Sequence, residues 1–230
     1  MGVENASSVA PLTPSFSHLS LSDIQIPDEF ELILGADTGT YMSAVLAAVE
    51  AGDANNIFVL AEFPNYHYVG GEIELEGLST PEWASNIVEA YRKIRPHVSK
   101  IHGWVDPNSQ FRRELQHYGL ALHPNQRGLE LRVEITREYF QAGKIWMAPW
   151  LEVLPYELEN ARWPDESTTS GKFVRLKYKD HTLDCLEHLL SRRPRGRQIR
   201  REKKLTFLEQ MFARYGTKGL RTVDPHLGRL

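Results

Sequence analysis

Three aspartates, Asp37, Asp106 and Asp180, stand where the chain can bring carboxylates together. Asp37 ends the apolar run ELILGAD and Asp106 ends KIHGWVD. Asp180 opens DHTLDCLEHLL, in which Asp184 and His188 follow at intervals of four and so share one helical face. An acid after an apolar run is ordinarily a turn residue or a helix cap. Two such acids at the ends of neighbouring strands repel each other, and a cation relieves that repulsion. Oxygen donors without thiolates select hard ions such as magnesium or manganese, which keep waters and take phosphate oxygens as further ligands. Two ions about 3.5–4 Å apart suit hydrolysis of a phosphodiester bond.

The elements that must position these acids follow from hydrophobic period and turn chemistry. Glu31 to Asp37, Ser43 to Glu50 and Ile57 to Phe63 read as three consecutive antiparallel strands, the last two joined across GDANN. Ser79-Thr80-Pro81-Glu82 starts a helix whose Trp83, Ile87, Val88, Tyr91 and Ile94 recur at helical spacing. The strand ending at Asp106 follows, then a helix from Pro107 to about Tyr118, a strand over Leu120 to His123 and a helix from Leu129 to Ala142. Lys144 to Met147 reads as a strand, Leu151 to Ala161 as a helix, Phe173 to Lys177 as extended chain, and Asp180 to Ser191 as the closing helix. The order implies a mixed α/β sheet with helices on its faces. With the first strand central and the fourth beside it, Asp37 and Asp106 become neighbours.

In that order the pieces resemble the nuclease domain of phage and herpesvirus large terminases, a ribonuclease H-like fold. LGADTG is similar to the family's first strand aspartate, WVDPNSQF to its second acidic strand and following helix, and KYKDHTLDCLEHLL to its closing aspartate-histidine helix. QAGKIWM and LPYELENARW are similar to segments that precede that helix. Arg127 stands near where the family places a lysine. The resemblance covers about Glu31 to Ser191 and implies a metal-dependent endonuclease that cuts double-stranded viral DNA concatemers during packaging. It also implies Asp37, Asp106 and Asp180 as catalytic metal ligands, with Asp184 as an auxiliary ligand to magnesium or manganese, two ions in all. The expected partners are double-stranded DNA, a terminase ATPase domain, the portal and the small terminase subunit, with no membrane. A packaging ATPase needs a phosphate loop, and the sequence contains none, so an isolated nuclease domain or fragment is expected. A junction resolvase or transposase-like nuclease would share the acids, and a non-catalytic docking module would share the fold.

Composition fits this reading without demanding it. The chain has 230 residues, 41% hydrophobic and 25% charged, with net charge −3 and one cysteine, Cys185. One cysteine excludes an internal disulfide and a thiolate zinc cluster. No apolar run is long enough to span a membrane and the N-terminus does not read as a signal peptide, so the host cytoplasm is expected. Three regions are expected: a leader or linker over 1–28, the nuclease domain over 29–193 and a basic tail over 194–230. RRPRGRQIRREKK, from Arg192 to Lys204, carries eight basic residues against one acid. Lys177, Lys179, Arg127, Arg192 and Arg193 are the candidates for contact with DNA phosphates. His181 and His188 are candidates for orienting roles around the carboxylates, and Trp104 is expected to pack in the core.

Overall fold

Strands β1 (Glu31–Thr38), β2 (Met42–Val49) and β3 (Ile57–Glu62) are buried on both faces, which explains why ILGA, VLAAV and IFVLA read as continuous apolar runs instead of alternating ones. The computed structural model describes residues 21, 25–27, 30–50, 56–98, 100–107, 109–161, 179–192 and 221–222. The expected extended segment over Phe173 to Lys177 therefore lies outside the described residues, as do Arg193 and most of the basic segment.

Next come a hairpin of β4 (Tyr66–Val69) and β5 (Glu72–Leu75), then α1 (Thr80–Ile94), β6 (Ile101–Val105), α2 (Ser109–His117), β7 (Leu120–Pro124) and α3 (Leu129–Gln141). The chain continues through β8 (Ile145–Met147), α4 (Val153–Glu159), α5 (His181–Leu190) and β9 (Arg221–Thr222). Among the described residues the main sheet runs β7-β6-β1-β2-β3-β8-β9. β2 is antiparallel to β1 and β3, whereas β6 is parallel to β1 and β7 to β6, so the carboxyl ends of β1, β6 and β7 share one edge.

Two apolar layers flank the sheet. On one face α1 contributes Trp83, Ile87, Tyr91 and Ile94, and α2 contributes Leu115. A reciprocal capping box between Ser79 and Glu82 starts α1, as the sequence predicts. On the other face α3, α4 and α5 pack through Ile135, Tyr139, Leu154, Leu183, Cys185, Leu186 and Leu189. Ile26, within the expected leader, is buried in the first layer, and Arg95 donates to the Ile26 and Pro27 carbonyls at 2.6 Å each. β9 likewise pairs with β8 from within the segment expected to be a basic tail.

The seating of α5 depends on Gly35. A Cβ there would collide with the Cys185 carbonyl, so glycine lets the helix backbone lie directly on β1. From Thr182 to Leu190 every residue of α5 is buried, Asp184, Glu187 and His188 included. The helical face that carries Asp184 and His188 is thus enclosed.

Candidate active site

Alternation along the strands sets which side chains share a face. Gly35 of β1 faces α5, so Asp37, two residues on, does too. Gly35 pairs with Trp104 and Ala36 with Val105. Asp37 follows Ala36 within β1 and Asp106 follows Val105 just past the end of β6, so both stand at the carboxyl ends of adjacent parallel strands. Thr38 Oγ1 donates to Asp106 Oδ1 at 2.7 Å, tying the end of β1 to the second carboxylate. The two acids, 69 residues apart in the sequence, thus lie at the same end of two adjacent parallel strands.

α5 contributes from above. His181 Nδ1 lies 3.1 Å from Asp37 Oδ2, with the His181 side chain 27% and the Asp37 side chain 17% exposed. A proton on Nδ1 donates to the carboxylate and leaves the lone pair on Nε2. The ring is bracketed by Tyr41, at a centroid distance of 4.9 Å, and by Tyr66, at 5.8 Å. The sequence ranks His181 behind the aspartates; the structure puts it in direct contact with one of them. At the other end of the helix, the two ring nitrogens of His188 approach Asn125 at 3.1 Å and Arg132 at 2.7 Å. Asn125 also takes the Val105 carbonyl through its backbone N–H at 2.8 Å. Thus α5 runs from the end of β1 toward the ends of β6 and β7, and Asp184 falls between these two anchored histidines. Asp180 is the N-cap residue of α5, buried, with no capping bond from its side chain. Among the described residues no three His, Cys, Asp or Glu side chains close into a metal cage.

The capping role left by Asp180 falls to Glu157 of α4. Its Oε2 accepts the Leu183 backbone N–H at 2.7 Å, and its Oε1 accepts the hydroxyls of Tyr66 at 2.7 Å and Tyr68 at 2.9 Å. Tyr66 reaches Thr182 Oγ1 at 2.8 Å, and Thr182 reaches Ser43 Oγ at 2.7 Å. Burial pushes the Glu157 carboxyl up to about 7 against the hydrogen bonds that favour its ionised form. The sequence gives one signal for Glu157: it stands three residues after Leu154, on the inward face of its helix. Glu62 acts in the same way on α4, accepting the backbone N–H groups of Glu152, Val153 and Leu154 at 2.6–2.8 Å. Its carboxylate is therefore engaged in capping and not directed at the paired aspartates; burial raises its pKa while those three bonds lower it.

The basic candidates separate. Lys179, with a left-handed φ of 49°, donates through Nζ to the Gly71 carbonyl at 2.7 Å and to Glu72 at 2.8 Å, which ties the approach to α5 to the β4–β5 hairpin. Tyr68 donates to the Lys179 carbonyl at 2.8 Å. Arg127 is half-buried, its backbone N–H bonded to Asn125 Oδ1. Arg192 is exposed, with its guanidinium 6.0 Å from the centre of the Trp104 ring. Lys177 and Arg193 lie outside the described residues.

No protein-family model matches the sequence, and no curated protein matches it. Solved structures do. The large terminase of a thermophilic bacteriophage aligns at a TM-score of 0.56 and 18% identity, covering 73% of this chain and 41% of that one. The nuclease domain of the P22 large terminase aligns at a TM-score of 0.52 and 14% identity, covering 74% of this chain and 89% of that one. The chain has the fold of a large-terminase nuclease domain. It spans about two fifths of the thermophilic phage's large terminase, 41% of its length. This mixed sheet, with Asp37 at the end of one strand and Asp106 just past the end of its parallel neighbour, is the ribonuclease H-like architecture that the resemblance implies.

Proposed function

We propose that this chain is an endonuclease that hydrolyses phosphodiester bonds of double-stranded viral DNA concatemers during genome packaging, using divalent magnesium or manganese. The reading is supported by the position of Asp37 at the end of β1 and of Asp106 just past the end of the adjacent parallel β6, in the fold of a large-terminase nuclease domain. The donor set fits a hard cation: two strand-end carboxylates, at least one reached by solvent, with no thiolate beside them. Asp37 and Asp106 would hold the metal, with Asp180 and Asp184 from α5 completing the set for two ions. When bound, such ions lower the pKa of an attacking water and balance charge on the phosphate. The chain's own groups do the rest. Thr38 fixes the Asp106 carboxylate, His181 orients Asp37 and holds a proton at Nδ1, and Glu157 pins the first turn of α5 so that His181 and Asp184 keep their places.

DNA contact is assigned to Lys177, Lys179, Arg127, Arg192 and Arg193, acting on phosphates more than on base edges. An ATPase domain, a portal and a small terminase subunit would be the partners in a packaging motor working in the host cytoplasm. Among the described residues no helix is long and apolar enough to cross a membrane. A second reading is a docking module that keeps the fold without cutting. The test is cleavage of supercoiled plasmid, linear duplex and four-way junction with magnesium or manganese. Cutting of plasmid and linear duplex is expected. Strict junction selectivity would point to a resolvase, and no cutting of any substrate by the folded protein would point to the docking module.

A further inference from the structure

The sheet face that carries the paired aspartates continues away from them along β6. By alternation, His102 and Trp104 project to the same side of β6, Asp106 follows the end of that strand, and Trp104 is paired with His123 on β7. His102 and His123 are exposed, and their rings stack at a centroid distance of 6.0 Å and an interplanar angle of 10°. Trp104 is half-buried beneath the exposed Arg192 guanidinium, which follows the end of α5. Lys100, also exposed, stands immediately before β6. The row from His102 to Asp106 is about 13 Å long at 3.3 Å per residue.

We propose that Lys100, His102, His123, Trp104 and Arg192 form a binding track for the sugar-phosphate backbone of the DNA strand on one side of the scissile bond. The inference rests on the nuclease reading and deepens it. Its occupant follows from chemistry and continuity. Cationic and ring N–H donors suit phosphate oxygens, the indole face suits a sugar or a splayed base, and the row ends on a candidate ligand. The expectation that Trp104 is a core residue is thus only half met, since one side of its ring belongs to this surface.

The test measures binding of the full chain to a short fluorescein-labelled duplex by anisotropy in calcium, so that affinity is read without cutting. Arg192→Glu and the double variant His102→Glu/His123→Glu are compared with wild type, and Lys93→Glu on α1, in the opposite layer, serves as the control. Circular dichroism confirms that each variant folds. The track predicts that both site variants weaken binding about tenfold and flatten the salt dependence by about one ion per lost phosphate contact. Lys93→Glu should bind as wild type does, and Arg192→Lys should retain most of the affinity. Unchanged binding in both folded site variants, with a wild type that binds and cuts DNA, overturns the track and leaves the nuclease reading standing. A wild type that does not bind duplex overturns both.

Discussion

Replacing Glu157 with glutamine should change how stability depends on pH while leaving the fold intact. Glu157 is 2% exposed, and burial raises its carboxyl from an ordinary 4.5 to about 7. Between those values the folded protein holds a proton that the unfolded chain has lost, so stability falls as pH rises through this window and stays reduced above it. At about 1.4 kcal/mol per pH unit, the window amounts to about 3 kcal/mol. Glutamine does not titrate, so this component should vanish. The network can accept it: the amide oxygen takes the Leu183 N–H, and the amide nitrogen donates to the tyrosine hydroxyls, which can turn toward Thr182 Oγ1 and the Lys179 carbonyl. Urea unfolding of both proteins at about pH 5 and about pH 8 checks this. Wild type should lose about 3 kcal/mol more than the variant over that interval. Parallel pH profiles would refute the claim that a desolvated, titrating carboxylate holds the first turn of α5.

Other substitutions test the supports of the site. Gly35→Ala puts a methyl group against the Cys185 carbonyl, so it should cost about 1–3 kcal/mol in thermal unfolding and reduce cleavage by displacing His181 from Asp37. Glu62→Ala removes the acceptor for three backbone N–H groups of α4; a loss of about 2–3 kcal/mol is expected in denaturant unfolding. Cys185 is fully buried, and burial together with Asp37 pushes its thiol up, so a thiol reagent should label it only after unfolding.

The elements that carry Asp37 and Asp106 were legible because each is an apolar run, fully buried in β1 and half-buried in β6, that ends in an acid. Their neighbourhood depended on a strand order that periodicity alone does not encode, and the resemblance supplied it. The β4–β5 hairpin was overlooked although its signal was present: YHYV and EIEL flank Gly70-Gly71, which take φ of 57° and 85° as a two-residue hairpin turn requires. The burial of α5 was not legible, since α3 and α4, which pack on it, are distant in sequence. Glu157 and Glu62 were hidden for a related reason. Each caps a helix distant in sequence, and capping rules read only local neighbours. The contact between His181 and Asp37 likewise needed Gly35 to bring α5 onto β1, a close approach visible only in three dimensions.

The central claim is that Asp37 and Asp106 together form the catalytic metal site. It is tested most directly by nicking and linearisation of supercoiled plasmid in magnesium or manganese, comparing wild type with Asp37→Ala and Asp106→Ala, with folding of each confirmed. The account predicts metal-dependent cutting by wild type and its loss in both variants. Cutting that survives removal of either aspartate would contradict it.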